Sequence, residues 1–188
     1  MNGRFPQVVF GYHGCTRAVG EAILAGHEPH LRPSTNPYDW LGHGVYFWEN
    51  APERALEWAK ESIARQKTND EPFVIGAIID LGRCLNLTDV DNHAVLRQVY
   101  SGLVKLCEKQ GTKLPQNDKK RHNLDCMVIN IAQGILRERG LAFDTIRGAF
   151  PEGDPIYPGA TILEKTHVQI CVQNMDCICG YFLPPGIN

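Results

Sequence analysis

The chain has 188 residues, of which 43% are hydrophobic and 21% are charged, and its formal net charge is −2. This predicts one soluble globular domain, residues 1–188, and excludes a protein held on nucleic acid by overall charge. No apolar run approaches the roughly 20 residues of a membrane span, and the first residues lack a secretory signal core, so we expect a cytoplasmic protein without membrane contact. The seven cysteines form no CxxC pair. We therefore expect free thiols and no metal site.

The first predicted unit is a strand, a short loop and a helix. Residues 7–12, with the sequence QVVFGY, are branched and aromatic, as a buried strand requires. Thr16 is the predicted N-cap of the following helix, and Gly26 lies where helices commonly end. Three prolines between residues 27 and 39 predict an irregular loop.

The second unit repeats this order. Residues 42–48 are predicted as a strand, and Asn50 with Glu53 forms a predicted capping box for a helix that extends to about residue 66. The apolar positions of this helix have helical spacing, which predicts a core position for Trp58. The two glycines of Gly-His-Gly, followed at once by aromatic residues, favour a surface that grips a flat ligand.

The rest of the chain predicts one strong strand, a helical insertion and a strand-rich end. Residues 73–81 are almost wholly apolar, which predicts the centre of the sheet. Helices are predicted at 89–109 and 124–139, and a strand at 145–149. Prolines and glycines make residues 150–160 an irregular loop. Strands at 167–173 and 177–183 are predicted to form a hairpin.

Three short motifs place polar side chains among apolar strand residues. They are YHG at the end of the first strand, GHGVYF at the start of the second, and HVQICV near the end of the chain. A polar group inside a sheet is costly unless it has a partner, so these positions are candidates for ligand contacts.

The order of these motifs resembles the ADP-ribosyltransferase fold, in the branch of diphtheria toxin and poly(ADP-ribose) polymerase, whose signature is histidine, tyrosine and glutamate. The resemblance covers about residues 8–59 and 167–182, and the helical middle is not matched. It implies an α+β fold with a split mixed β-sheet, flanking helices and a helical insertion. It also implies that the ligand is NAD, used as a substrate.

The resemblance assigns roles to five residues of the two matched units. His13 corresponds to the histidine that bonds a ribose of NAD, and Gly14 to the glycine whose backbone holds the nicotinamide amide. Tyr46 corresponds to the tyrosine stacked on the nicotinamide ring, and Trp58 lies about where relatives place a second stacking aromatic. Gly44 belongs to the glycine motif beside the ligand.

The third signature position departs from the family. Gln169 stands where the catalytic glutamate is expected, and an amide neither steadies a developing cation nor takes a proton. Glu152, in the irregular loop, is the first candidate for a substitute carboxylate, and Glu164 is the second. Arg147 is a candidate for binding a phosphate of NAD.

The expected function is NAD-dependent mono-ADP-ribosyl transfer to a macromolecular acceptor. Two alternatives are a catalytically silent module that binds NAD or ADP-ribose and an NAD-dependent RNA 2′-phosphotransferase. Resemblance to small bacterial members of the fold implies a toxin or phage-defence protein with an antitoxin as a partner. The acceptor is then RNA, DNA or protein, and the basic cluster at 119–122 and Arg137 are the first places expected to contact nucleic acid.

Overall fold

The computed structural model describes residues 7–118 and 121–187. Over this part of the chain the protein is α+β, with four α-helices and seven β-strands joined in one mixed sheet. None of these helices is both long and apolar enough to cross a membrane. The elements in chain order are β1 Val8–Thr16, α1 Arg17–Leu24, β2 Val45–Glu49, α2 Pro52–Gln66, β3 Pro72–Asp80, β4 Cys84–Asn86, α3 His93–Gln110, α4 Asn123–Glu138, β5 Thr145–Phe150, β6 His167–Val172 and β7 Ile178–Phe182.

The strand order across the sheet is β4-β5-β6-β2-β1-β3-β7. All neighbouring strands are antiparallel except β4 and β5, which are parallel. The predicted hairpin at 167–183 is therefore wrong. β6 lies between β5 and β2, and β7 pairs with β3 at the far edge. β3 adjoins that edge strand and is not the centre of the sheet as its apolar sequence predicted.

Helices cover both faces of the sheet. Ile23 of α1 packs with Phe47 and Ile75 on one side, which we call the α1 face. On the opposite side, the α2 face, Ala55 of α2 packs on Trp48. Two further helices, α3 and α4, cover the remainder of the α2 face beside β4, β5 and β6, where Ile129 of α4 is buried. The predicted helical insertion is thus confirmed as a layer beside the sheet.

The N-cap predicted from the sequence is correct for α1 and wrong for α2. The Thr16 side chain accepts a hydrogen bond from the Val19 amide, as an N-cap does. Asn50 is not the cap of α2, because it adopts a left-handed backbone conformation with φ of 52°. The helix instead begins at Pro52, with Ala51 at the N-cap position and no side-chain cap bond there. Proline suits a first helical turn because its missing N–H would have no helical partner.

Candidate functional site

The junction between β1 and β2 is short. The two strands pair at Gly11 with Glu49 and at Tyr12 with Trp48, whereas β1 and β3 pair along nine residues. Beyond Tyr12 the described ladder between β1 and β2 ends, so His13 and Gly14 are not paired with β2. We call this unpaired stretch the β1/β2 gap.

His13 is the first residue of β1 beyond the last pair with β2. Its Nδ1 donates a 2.7 Å hydrogen bond to the main-chain carbonyl of Tyr46, so the imidazole bridges the β1/β2 gap. Burial lowers the pKa of His13, although the bond to the Tyr46 carbonyl acts in the opposite direction. A neutral imidazole with its proton on Nδ1 has a lone pair on Nε2. His13 can therefore accept a hydrogen bond from a ligand hydroxyl.

Gly14 directs its backbone toward the same gap. In an antiparallel sheet, alternate residues turn their N–H and C=O groups to opposite neighbours. The Phe10 carbonyl accepts from the Asn50 amide after β2, and the Arg17 amide donates to Glu71 beside β3. The backbone N–H and C=O groups of the even-numbered residues of β1 therefore point toward β2. Gly14 is the first even-numbered residue beyond the pairs that the described strands form. Its N–H and C=O match the two groups of a carboxamide.

Gly14 also has a packing role on the α2 face. A Cβ atom built on Gly14 would lie 2.0 Å from the carbonyl oxygen of Ala55 and 3.1 Å from the amide nitrogen of Ala59. The absence of a side chain therefore lets α2 lie directly on β1. Gly44 is similarly enclosed, because its Cβ would lie 2.5 Å from the Cys171 sulfur.

The Tyr46 phenol is held by the loop before β2. Its hydroxyl donates to the Gly42 carbonyl at 2.6 Å and accepts from the Leu41 amide at 2.8 Å. Burial raises the pKa of Tyr46 well above its usual range. The ring packs with the cluster that contains Ile129 and Cys171. Tyr46 thus anchors the glycine-containing turn that precedes it.

His13 and Tyr46 point to opposite faces of the sheet. Side chains alternate along a strand, and His13 lies on the α1 face, where its ring is 5.9 Å from that of Phe47. Tyr46 lies on the α2 face with Cys171. The two signature residues therefore meet through the Tyr46 carbonyl, and the phenol does not face the imidazole.

Gln169 lies on β6 and pairs with Trp48 of β2. Alternation places its side chain on the α2 face with Tyr46 and Trp48. Its amide is half-buried. The position lies beside β2, and the side chain carries no charge.

Trp58 is not the core residue that helical spacing predicted, because 39% of it is exposed. Its ring lies 5.9 Å from that of Trp48, and the Arg65 guanidinium lies over it at 4.5 Å from the centroid. Tyr46 packs in a different cluster. The expected aromatic pair of Tyr46 and Trp58 is thus replaced, in this structure, by Trp48 and Trp58.

Glu152 is held at the α2 face by two basic groups. Its Oε2 accepts a 3.0 Å bond from Nη2 of Arg54 in α2 and lies 3.8 Å from Nδ1 of His167 in β6. Its main-chain carbonyl accepts from the Lys165 amide. The predicted irregular loop therefore carries Glu152 to the strand that holds Gln169, with its carboxylate already paired. Glu164, the second candidate, is exposed, and its amide donates to the Asp154 carbonyl.

Arg147 lies on the α1 face in an ion pair. Its Nε and Nη2 donate to the two carboxylate oxygens of Glu49 at 2.5 and 3.0 Å. These bonds raise the pKa of Arg147. The guanidinium predicted to bind a phosphate of NAD is thus engaged by a carboxylate of β2.

The basic segment after α3 is described only in part. Lys119 and Lys120 lie outside the described residues. The Arg121 guanidinium lies 5.7 Å from the centroid of the Tyr38 ring, and His122 packs against Trp40 at 4.4 Å. Arg137 lines a cleft with His43, Gly44 and Gln173.

The site residues predicted from the sequence do not include Trp48, Arg54 and His167, although His167 is the first residue of the HVQICV motif. Within the described residues, Trp48 Nε1, Arg54 Nε and His167 Nε2 are buried without a hydrogen-bond partner, as is Asp39 Oδ2. Alternation could have found two of them, because Trp48 follows Tyr46 by two residues and His167 precedes Gln169 by two.

Comparison with known proteins gives no functional assignment. No protein-family model matches the chain. Over 190 residues the chain is 26% identical to an uncharacterized protein of Methanocaldococcus jannaschii, covering 89% of this chain and 83% of that protein.

Proposed function

We propose that the protein binds NAD at the β1/β2 gap and transfers a single ADP-ribose unit to a macromolecular acceptor. The observation that carries the proposal is the hydrogen bond from His13 Nδ1 to the Tyr46 carbonyl. It fixes the imidazole where the β1 and β2 ladder ends and leaves Nε2 as an acceptor for a ribose hydroxyl. Gly14 supplies an N–H and a C=O beside it for the nicotinamide amide.

Aromatic residues support a site for oxidised nicotinamide. Its pyridinium ring is flat and cationic, so it is attracted to the face of an indole or phenol ring. Trp48 and half-exposed Trp58 form an aromatic surface on the α2 face. The proposal therefore uses these two tryptophans as the platform for the ring, while Tyr46, whose ring packs with Ile129 and Cys171, anchors the glycine-containing turn.

Transfer requires groups that favour departure of nicotinamide. The bond between nicotinamide and ribose breaks through a state in which the ribose resembles an oxocarbenium ion. His13 would hold a hydroxyl of that ribose, and the backbone of Gly14 would hold the departing carboxamide. Gln169 would orient a ribose hydroxyl without neutralising the developing positive charge.

A silent NAD-binding or ADP-ribose-binding module is the second candidate. It is favoured by the amide of Gln169 at the position of the family carboxylate and by the pairing of Glu152 with Arg54. Such a module would bind the dinucleotide with the same His13 and Gly14 groups but would release no nicotinamide.

One experiment separates these functions. Purified protein is incubated with NAD labelled in its adenylate and with total cell extract, and released nicotinamide is measured in parallel. The labelled product is then treated separately with protease and with nuclease. A transferase releases nicotinamide and labels a macromolecule, and the digestion identifies its class.

Two variants test whether the site is the one proposed. His13→Asn keeps a donor near the position of Nδ1 but removes Nε2, and it should abolish labelling. His27→Asn changes an exposed histidine of the following loop and should label as the wild type does. Full labelling by His13→Asn would refute the site, and NAD binding without nicotinamide release would establish the silent module.

A further inference from the structure

A cleft lies beside α4, near the end of the sheet where β2 begins and β6 ends. Its volume is about 260 Å³, and its walls come from α4, from the glycine-containing turn before β2 and from the residues that follow β6. We call it the α4 cleft. Its polar lining residues are His43, Asn130, Gln133, Arg137 and Gln173. Among the residues that the structure describes, no acidic side chain lines it.

The helix α4 holds the turn that forms the opposite wall. Asn130, Gln133 and Arg137 follow one another at helical spacing, so they lie on one side of α4. Asn130 Oδ1 accepts a 2.9 Å hydrogen bond from the His43 amide. A Cβ atom at Gly42, whose φ is 77°, would lie 2.7 Å from that oxygen. Glycine at this position therefore lets the turn with His43 lie directly against α4.

Gln133 fixes the orientation of the Gln173 amide. The Gln133 Oε1 accepts from the Phe143 amide, and its Nε2 donates to the Phe143 carbonyl, so these two contacts define which atom is nitrogen. The same Nε2 also donates to Gln173 Oε1. Gln173 Nε2 then has two N–H groups that no described residue accepts. Because Gln173 lines the cleft, these groups are available to a ligand there.

Arg137 and His43 are the basic residues of the α4 cleft. Arg137 lies in the last turn of α4, and its guanidinium has no ion-pair or hydrogen-bond partner within the described part of the chain. Arg147, by contrast, is engaged by Glu49. The His43 imidazole interacts electrostatically with Asp39, which is not a lining residue. The cleft thus offers a guanidinium, an imidazole and an amide nitrogen, each of which can donate.

Donors on three separate elements favour an anion with three free oxygens. A guanidinium binds two oxygens of a phosphate through parallel hydrogen bonds. The imidazole of the turn and the Gln173 amide beyond β6 can then bind the third. A phosphate monoester presents three such oxygens, whereas a carboxylate or a phosphodiester presents two. The donor set of the cleft therefore matches a terminal phosphate.

The size of the cleft limits what accompanies that phosphate. Pockets for drug-sized ligands measure about 300–1,000 Å³, so a volume of about 260 Å³ lies just below this range. It takes a phosphate with one small group such as a sugar, but not a whole dinucleotide. The cleft also lies on the α2 face with Cys171 and Gln173, whereas His13 lies on the α1 face. It is therefore distinct from the position proposed to hold the ribose of NAD.

We infer that the α4 cleft binds a small phosphate monoester, of the size of a sugar phosphate, through Arg137, His43 and Gln173. The inference does not depend on the proposed function and adds a second ligand site to the protein. Arg137 binds two of the phosphate oxygens, and the other two side chains bind the third.

The test measures binding of ribose 5-phosphate to the purified wild-type protein by isothermal titration calorimetry. Inorganic phosphate, ribose, acetate and a dinucleoside phosphodiester are titrated at the same ionic strength, because salt screens exposed charges. We expect ribose 5-phosphate and inorganic phosphate to bind and ribose and acetate not to bind. The phosphodiester should bind at least about tenfold more weakly than ribose 5-phosphate, because it lacks one charged acceptor.

Two variants with matched controls locate the site. Arg137→Gln removes the charged fork and should weaken binding at least about tenfold. Arg139→Gln changes an exposed arginine outside the lining and should bind as the wild type does. Gln173→Glu keeps an oxygen for Gln133 but replaces the donor by a carboxylate, so it should abolish binding. Gln98→Glu adds the same charge at an exposed position of α3 and should bind normally.

The remaining outcomes contradict the inference or the proposed function separately. Unchanged affinity in either Arg137→Gln or Gln173→Glu would overturn the inference, as would acetate that binds as tightly as inorganic phosphate or a wild-type protein that binds no phosphate. Displacement of ribose 5-phosphate by NAD would show that the cleft is not a second site. A protein that binds ribose 5-phosphate but not NAD would refute the proposed function and leave this inference standing.

Discussion

The imidazole of His13 and the main-chain carbonyl of Tyr46 are joined by a 2.7 Å hydrogen bond across the β1/β2 gap. The bond replaces a ladder contact at the point where the described strands stop pairing. His13 thus has a structural atom, Nδ1, and an atom available to a ligand, Nε2.

Because Nδ1 holds the bridge and Nε2 is available to a ligand, two substitutions of His13 should differ in their effect on stability. His13→Ala removes the bridge and should lower the free energy of unfolding by about 1 kcal/mol, with a further loss from the cavity beside Phe47. His13→Asn keeps a donor close to the Tyr46 carbonyl and should lose less. Urea denaturation of both variants at pH 7.5 provides the measurement. Equal losses would mean that the bridge contributes nothing.

The hydrogen bonds of the Tyr46 hydroxyl predict that it stabilises the fold, independently of any contact between its ring and a ligand. Tyr46→Phe keeps the ring but leaves the Leu41 amide and the Gly42 carbonyl without their partner. We expect a loss of about 1–3 kcal/mol in the free energy of unfolding, measured by urea denaturation. Tyr100→Phe, at an exposed site on α3, is the control and should change it by less than about 0.5 kcal/mol.

The close contact of Gly14 with α2 predicts that alanine destabilises the protein at position 14 but not at position 134. In Gly14→Ala the new methyl group would collide with the Ala55 carbonyl, so α2 must shift, at a cost of about 3 kcal/mol. Gly134 lies in α4 with open space around its Cβ position, and Gly134→Ala should gain about 0.5–1 kcal/mol. Thermal denaturation of the two variants would contradict this if Gly14→Ala melted no lower than the wild type.

Gln169 predicts a gain of activity. In Gln169→Glu a carboxylate would face the ribose in the proposed complex and stabilise its developing positive charge. Nicotinamide release should rise by at least about tenfold, the equivalent of about 1.4 kcal/mol. Gln98→Glu, at an exposed position of α3, adds the same charge elsewhere and should leave release unchanged. No rise in Gln169→Glu would show that the amide does not limit the reaction.

The two buried histidines predict a loss of stability in acid. Their folded pKa values are lowered, chiefly by burial, from the ordinary value of 6.5. The unfolded chain therefore binds more protons below pH 6.5, and stability falls as the pH drops from there toward the folded pKa values. Above pH 6.5 these two histidines should no longer make the free energy of unfolding depend on pH. His13→Asn combined with His167→Gln should reduce its slope between pH 6.5 and pH 5.

Local patterns predicted most elements of the fold but not their arrangement. Apolar runs and helical spacing placed six strands and four helices within a few residues of their observed bounds. The segment 177–183 is predicted to pair with the strand at 167–173 because only three residues separate the two. The structure instead uses the 3₁₀ turn Met175–Cys177 to carry the chain to the far edge of the sheet. Sequence proximity could not reveal that choice, since it depends on pairing with β3.

The sequence predicted which residues belong to the candidate site, but not the face of the sheet to which each side chain points. The motifs located His13, Gly14, Tyr46 and Gln169 in three predicted strands, and the structure places those strands side by side in the order β6-β2-β1. Counting alternate positions across the gap would have separated His13 from Tyr46, but the register between strands is set by tertiary contacts. The contact between Arg54 and Glu152 could not be predicted, because the loop that carries Glu152 has no periodic pattern in its sequence.

The short junction between β1 and β2 divides the sheet into two sets of strands. Strands β4, β5, β6 and β2 form one set and β1, β3 and β7 form another, and within the described strands two residue pairs join the sets. A single buried core, with Phe47 and Ile170 from the first set and Ile75 from the second, packs across the junction. A ligand bound there would therefore contact both sets of strands at once.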